Sequence, residues 1–149
     1  IGLLAPAITD PASSPLLPSP MDTAHAVGQR ARAYLHANCA YCHRPGGPTG
    51  VDMDLRYTLP LQMASTNTCN MPPQAGDLGI ANARLVAPGS PARSILLQRI
   101  LRRDAHGMPP VGSALADPAG AELLSGWISE LSACETGGGG GCHANPGSF

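Results

Sequence analysis

Lysine is absent from this 149-residue chain, aromatic side chains are scarce, and long apolar runs are missing. Nine Arg against ten acidic residues leave a formal charge of −1, which gives no footing for nucleic acid or an anionic membrane surface. No stretch approaches the roughly 20 apolar residues that a membrane-spanning helix needs. A soluble domain without a membrane span is therefore expected. One Trp, one Phe and three Tyr leave a core built mainly from Ala, Leu and Ile. Such a core buries less area per side chain, so a large apolar group would help to fill it. Clean two-residue alternation and internal repeats are also missing, so strands are not expected and the fold class reads as all-α.

What the chain has in quantity is Gly and Pro, eighteen and sixteen residues, and their placement divides it. Residues 1–21 are rich in Pro, Ser and Ala without a period that would bury one face, and read as an arm or linker. The mildly apolar start, Ile1 to Ile8, lacks the basic flank of a signal peptide; removal of one, or excision from a longer polypeptide, is expected. Residues 22–134 form one domain, and residues 135–149, with the glycine run before Cys142 and His143, form a tail.

Three helices are expected inside the domain. The first follows Asp22 or Thr23 as N-cap and carries Val27, Ala31, Tyr34, Leu35 and Asn38 on one face, running into Cys39. The second starts at Ser90 with Pro91 in the first helical position and shows Leu96, Leu97, Ile100 and Leu101. Arg99, Arg102 and Arg103 close it, where positive charge complements the helix dipole. The third repeats the cap with Asp117 and Pro118, then spaces Leu123, Leu124, Trp127, Ile128 and Leu131 by three and four. The stretch from Arg44 to Gly89 is crowded with Pro, Gly and Asn. So long a loop is unusual in a compact domain unless it wraps something.

The chemistry lies in Cys39-Ala40-Tyr41-Cys42-His43. Two thiols three positions apart can each add to one haem vinyl group, and the next residue then lies under the iron as its proximal ligand. A redox C-x-x-C pair would be expected in a βαβ context, whereas here a helix precedes it. A zinc site would want a second ligand pair, for which Cys69 with a distant His is a poor half. The reading is one covalently bound haem c on Cys39 and Cys42, with His43 on the iron.

An electron-carrying haem iron usually takes a sixth ligand, and Met raises the potential where a second His lowers it. Met108, in Gly107-Met108-Pro109-Pro110, is the candidate, held by its prolines. Met71, in Asn70-Met71-Pro72-Pro73, is the alternative, and His106 is close by. Met63, like Met71, could instead fill gaps beside the haem. His25, His36 and His143 are expected at the surface. The second nitrogen of His43 should donate to a carbonyl, for which Pro45, Pro48 and Pro60 are candidates. Arg44, Arg56 and Arg84 could meet the propionates.

Haem attachment of this kind implies an oxidising compartment, so a disulfide among Cys69, Cys134 and Cys142 is expected. Cys69 with Cys134 would close a long loop, and Cys134 with Cys142 only a glycine turn.

From Asp22 to Leu131 the sequence resembles the class I c-type cytochromes: an opening helix entering Cys-Ala-Tyr-Cys-His, a loop with Gly-Met-Pro-Pro, and a final amphipathic helix with Leu123, Leu124 and Trp127. Residues Arg30 to Cys42, Ala87 to Ser94 and Met108 to Pro110 are similar to cytochrome modules fused at the C-terminal end of large bacterial secreted proteins, some of them quinoprotein-type dehydrogenases. The resemblance implies a cytochrome c-like fold in a periplasmic or extracellular domain. It also implies that electrons are relayed between redox partners or from a fused catalytic domain. Two other expectations stand beside it. One is a haem enzyme acting on peroxide, oxygen or a small nitrogen oxide, with His106 as acid–base group. The other is a homo-oligomeric, conductive assembly joined through the tails and Cys142.

Overall fold

A computed structural model describes residue 10 and residues 16–57 and 63–134. The arm expected over residues 1–21 is thus described only in part. The tail over residues 135–149, with Cys142 and His143, lies outside the described residues, as does Pro60.

Regular structure among the described residues is helical and contains no strand. It comprises α1 (Val27–Cys39), α2 (Ile95–Ile100), α3 (Pro118–Glu130), and two 3₁₀ turns at Ala64–Thr66 and Pro91–Arg93. This is compatible with an all-α class. No helix is long and apolar enough to cross a membrane among the described residues.

Two helix starts differ from those expected. Asp22 caps a turn ahead of α1, its Oδ1 accepting from Ala24 N at 3.0 Å, and α1 itself begins at Val27. There the Gln29 side chain reaches back to accept from Ala26 N at 3.3 Å. The second helix is interrupted. Pro91 opens only a 3₁₀ turn, and Ser94 is extended, with φ −91° and ψ 102°. The cause is competition for the backbone of this segment. Ser94 Oγ is buried, donating to Ser90 O at 2.9 Å and accepting from Ala87 N at 2.9 Å, while Ile95 N donates to Arg84 O at 2.8 Å. The third start is as its residues dictate. Asp117 Oδ1 accepts from Gly120 N at 3.0 Å and Pro118 occupies the first turn, where its missing N–H costs nothing.

α1 packs across α3. Ala31 and Leu35 from α1 are buried with Ala121, Leu124, Trp127 and Ile128 from α3, and Leu97 and Ile100 from α2 join them. The crossing is close because position 120 has no side chain. A Cβ there would lie 2.3 Å from the Tyr34 ring. The Tyr34 hydroxyl meets the Asp117 carboxylate, which is held below its usual range chiefly by the Gly120 N–H and then by that phenol.

The connecting segments are tied to one another by main-chain bonds. Leu55 N donates to His43 O at 2.9 Å, Asp54 N to Thr66 O at 2.9 Å, and Val86 N to Thr68 O at 3.0 Å. Thr66 and Thr68 are both buried, their hydroxyls 2.5 Å apart. The sulfurs of Cys69 and Cys134 lie at disulfide distance, 2.11 Å, across 65 residues of sequence. A bridge closing a loop of that size stabilises by roughly 4 kcal/mol, and here it fastens the long loop to the end of α3.

The crossing yields a paired expectation. Gly120→Ala forces the α1–α3 contact apart and should lower stability in urea by about 1–3 kcal/mol. Gly126→Ala, on the same helix with open space around it, should leave stability unchanged or raise it by up to about 1 kcal/mol. Equal losses in the two variants would contradict the close-crossing account.

Candidate haem site

α1 delivers the C-x-x-C-H motif. Its last residue is Cys39, and the chain then turns tightly, with Cys42 N and His43 N both donating to Cys39 O at 3.2 and 2.9 Å. This turn brings Cys39, Cys42 and His43 to one cavity. Its other walls come from the loops: Val51, Met53 and Leu55 on one, Pro73 to Gly76 on another, and Met108, Pro109 and Pro110 on a third. Leu85 and, from α2, Ile95, Leu96 and Ile100 complete it. The lining is overwhelmingly apolar, and the space not filled by atoms, open mouth included, is about 800 Å³.

The residues read from the sequence therefore separate into those that meet here and those that do not. Cys39, Cys42, His43 and Met108 share the cavity. Met71 is 42% exposed and is not in its lining. His106 is exposed and also outside it. Arg44 lies at the surface with Nε donating to Tyr41 O. Arg56 is paired with Asp54 at 2.7 Å. Arg84 lines a separate, shallow surface concavity with Asp77 and Asn82. None of these three arginines lines the cavity. The arginine that does is Arg99, and Gln74 lines it as well.

Arg99 was legible in principle. It sits four residues after Ile95 and three after Leu96, on the same helical face as two cavity residues. Gln74, whose Oε1 accepts from Asp52 N at 3.1 Å, sits in an aperiodic loop that gives no such signal. Other histidines and methionines also find their places. His25 is exposed, while His36 is half-buried, its Nδ1 accepting from Tyr57 N at 2.8 Å. Met63 is buried with its sulfur 3.7 Å from a guanidinium nitrogen of Arg32. Arg32 is itself buried, its pKa lowered by desolvation.

The chemistry of the motif can be tested against a haem. Cys39 and Cys42 are not bonded to each other, and burial pushes the Cys39 thiol up to about 11. A redox C-x-x-C works by the opposite shift, toward thiolate. Burial lowers the pKa of His43, favouring the neutral ring that can ligate a metal. Its Nδ1 is buried without a hydrogen-bond partner among the described residues, so the carbonyl bond expected from Pro45 or Pro48 is not made. Buried nitrogens are seldom left this way. A neutral imidazole, two unpaired thiols and a thioether around an apolar slot suit a haem. A bare zinc ion has no such support, for no three His, Cys, Asp or Glu side chains converge on a metal position among the described residues.

Comparison of the chain with protein-family models, with curated proteins and with solved structures finds no match.

Gly107 is what lets Met108 sit where it does. A Cβ at this buried glycine would lie 2.5 Å from the Arg102 carbonyl oxygen. Met108 N donates to Arg99 O at 2.9 Å. Gly107→Ala should push this backbone outward and cost about 1–3 kcal/mol. Hydrogen exchange should show the Met108 amide losing protection while amides inside α1 keep theirs. Unchanged Met108 protection would contradict the packing.

Proposed function

We propose that the chain is a monohaem c-type cytochrome domain of cytochrome c-like fold that passes single electrons. Haem c is fastened by Cys39 and Cys42, with His43 and Met108 as axial ligands. The observation that carries this is the meeting of a C-x-x-C-H motif with a methionine far along the chain on one apolar cavity. When bound, the haem supplies a one-electron change at iron.

The protein's part is to hold and exclude. The thiols of Cys39 and Cys42 would anchor the group, and the neutral imidazole of His43 and the thioether of Met108 would ligate its iron. Leu55, Leu85 and Ile100 keep water from the cavity, and a drier site favours a compact, little-changing centre. Tyr41, between the two cysteines, is 81% exposed, and Val111, directly after Pro110, is 76% exposed. Apolar groups next to the cavity suit brief docking of a redox partner or a fused catalytic domain.

A periplasmic or extracellular setting fits both covalent haem and the Cys69–Cys134 pair. A haem enzyme would need a proton-transfer group beside the iron, and His106 is outside the cavity lining. Assembly through Cys142 rests on residues outside those described.

The ligand assignment is tested by visible spectra of matured protein. Met108→Ala should abolish the far-red sulfur-to-iron band and admit added ligands. Met71→Ala should leave the spectrum as in the wild type. The reverse pattern would overturn the assignment.

A further inference from the structure

The loop that carries Met108 has no regular structure of its own, and Asp104, Ala105 and His106 just before it are exposed. Two arginines, Arg99 in α2 and Arg103 three residues beyond its end, hold its main chain instead. Arg99 Nη1 donates to His106 O at 3.0 Å, and its Nη2 donates to Ala75 O and, at 3.4 Å, to Gly76 O. Its own carbonyl accepts from Met108 N at 2.9 Å. Arg103 Nη1 donates to Met108 O at 3.3 Å and Ile100 O at 2.9 Å, and its Nη2 donates to Leu115 O at 2.7 Å. The intervening Arg102 faces a different partner, Asp104, at 2.6 Å.

We propose that Arg99 and Arg103 are positioning residues that clamp residues 106–108 and so hold Met108 at the haem against displacement by a competing ligand. The inference rests on the haem reading above and extends it to two residues outside the ligand set. Guanidinium-to-carbonyl bonds are charge-assisted and stronger than neutral ones. A planar fork can also bind two segments at once. Arg99 does so here, joining the 75–76 loop, which bears the cavity wall after Met71, to the 106–108 loop. Helix-dipole complementarity alone would ask only for positive charge near the end of α2. It would not direct each guanidinium at the carbonyls of the ligand loop.

The test is titration of the ferric holoprotein with imidazole, following loss of the sulfur-to-iron band. Arg99→Leu and Arg103→Met should each lower the imidazole concentration for half displacement by about tenfold, the effect of losing bonds from a charged donor. Arg99→Lys, which returns the charge without the fork, should recover part of that. Arg93→Met, which removes an exposed arginine whose Nε donates to Ser90 Oγ at 3.1 Å and which is absent from the cavity lining, serves as the control and should match the wild type.

Unchanged imidazole affinity in Arg99→Leu, or an equal change in Arg93→Met, would overturn the clamp while leaving the haem reading intact. A wild-type holoprotein with no sulfur-to-iron band would instead remove the reading on which the clamp rests. Should Arg103→Met fail to accumulate, Arg103→Lys takes its place, with a shift expected in the same direction.

Discussion

The crossing of α1 over α3 fixes where the C-x-x-C-H motif can be. Tyr34 lies against a residue without a side chain, Gly120, and its hydroxyl reaches the carboxylate that caps α3. Because a helix is stiff over its 13 residues, seating Tyr34 also sets the end of α1 one and a half turns later, where Cys39 begins the motif. The position of Cys42 and His43 follows from the tight turn that Cys39 O organises. A shift at the crossing would move the whole motif relative to the loops that must face it.

Those loops have few regular hydrogen bonds of their own, and other means hold them. Main-chain bonds link one loop to the next, a buried pair of threonine hydroxyls fixes the Thr66–Thr68 segment, and the Cys69–Cys134 pair ties the long loop to the end of α3. Arg32, Arg99 and Arg103 direct their guanidinium groups at carbonyls. In a chain without lysine, arginine does this work well, since a rigid fork loses less freedom per bond formed. The apolar wall that results is made of side chains far apart in sequence, from Val51 to Pro110. No single segment could form it alone.

How much of this was legible depended on whether the signal was local. The Asp117–Pro118 cap and the stripe of α3 are local, and both are found where the residues put them. The start of α1 is displaced because Asp22 satisfies a turn of its own before the helix begins. The break at Ser94 could not be read, because its partners, Ala87 and Arg84, are set by the fold of the preceding loop. The motif Cys39 to His43 was visible as five consecutive residues. Between Met108 and Met71, two near copies in sequence, only placement between the second and third helices favours Met108. The outcome depends on which loop lies across the motif, and Met71 faces outward. Arg99 was assigned a charge role at a helix end because its carbonyl partners are 23, 24 and 7 residues away.

Each part of the proposal returns to covalent attachment at Cys39 and Cys42, since without it the unpaired thiols and the open apolar slot have no common purpose. The most direct measurement is the intact mass of the denatured chain after expression in a host that matures c-type haem, followed by peptide mapping. The account predicts a chain heavier by one haem, with the added mass confined to the peptide containing Cys39 and Cys42. A chain at its bare polypeptide mass, with both thiols open to alkylation, would contradict it.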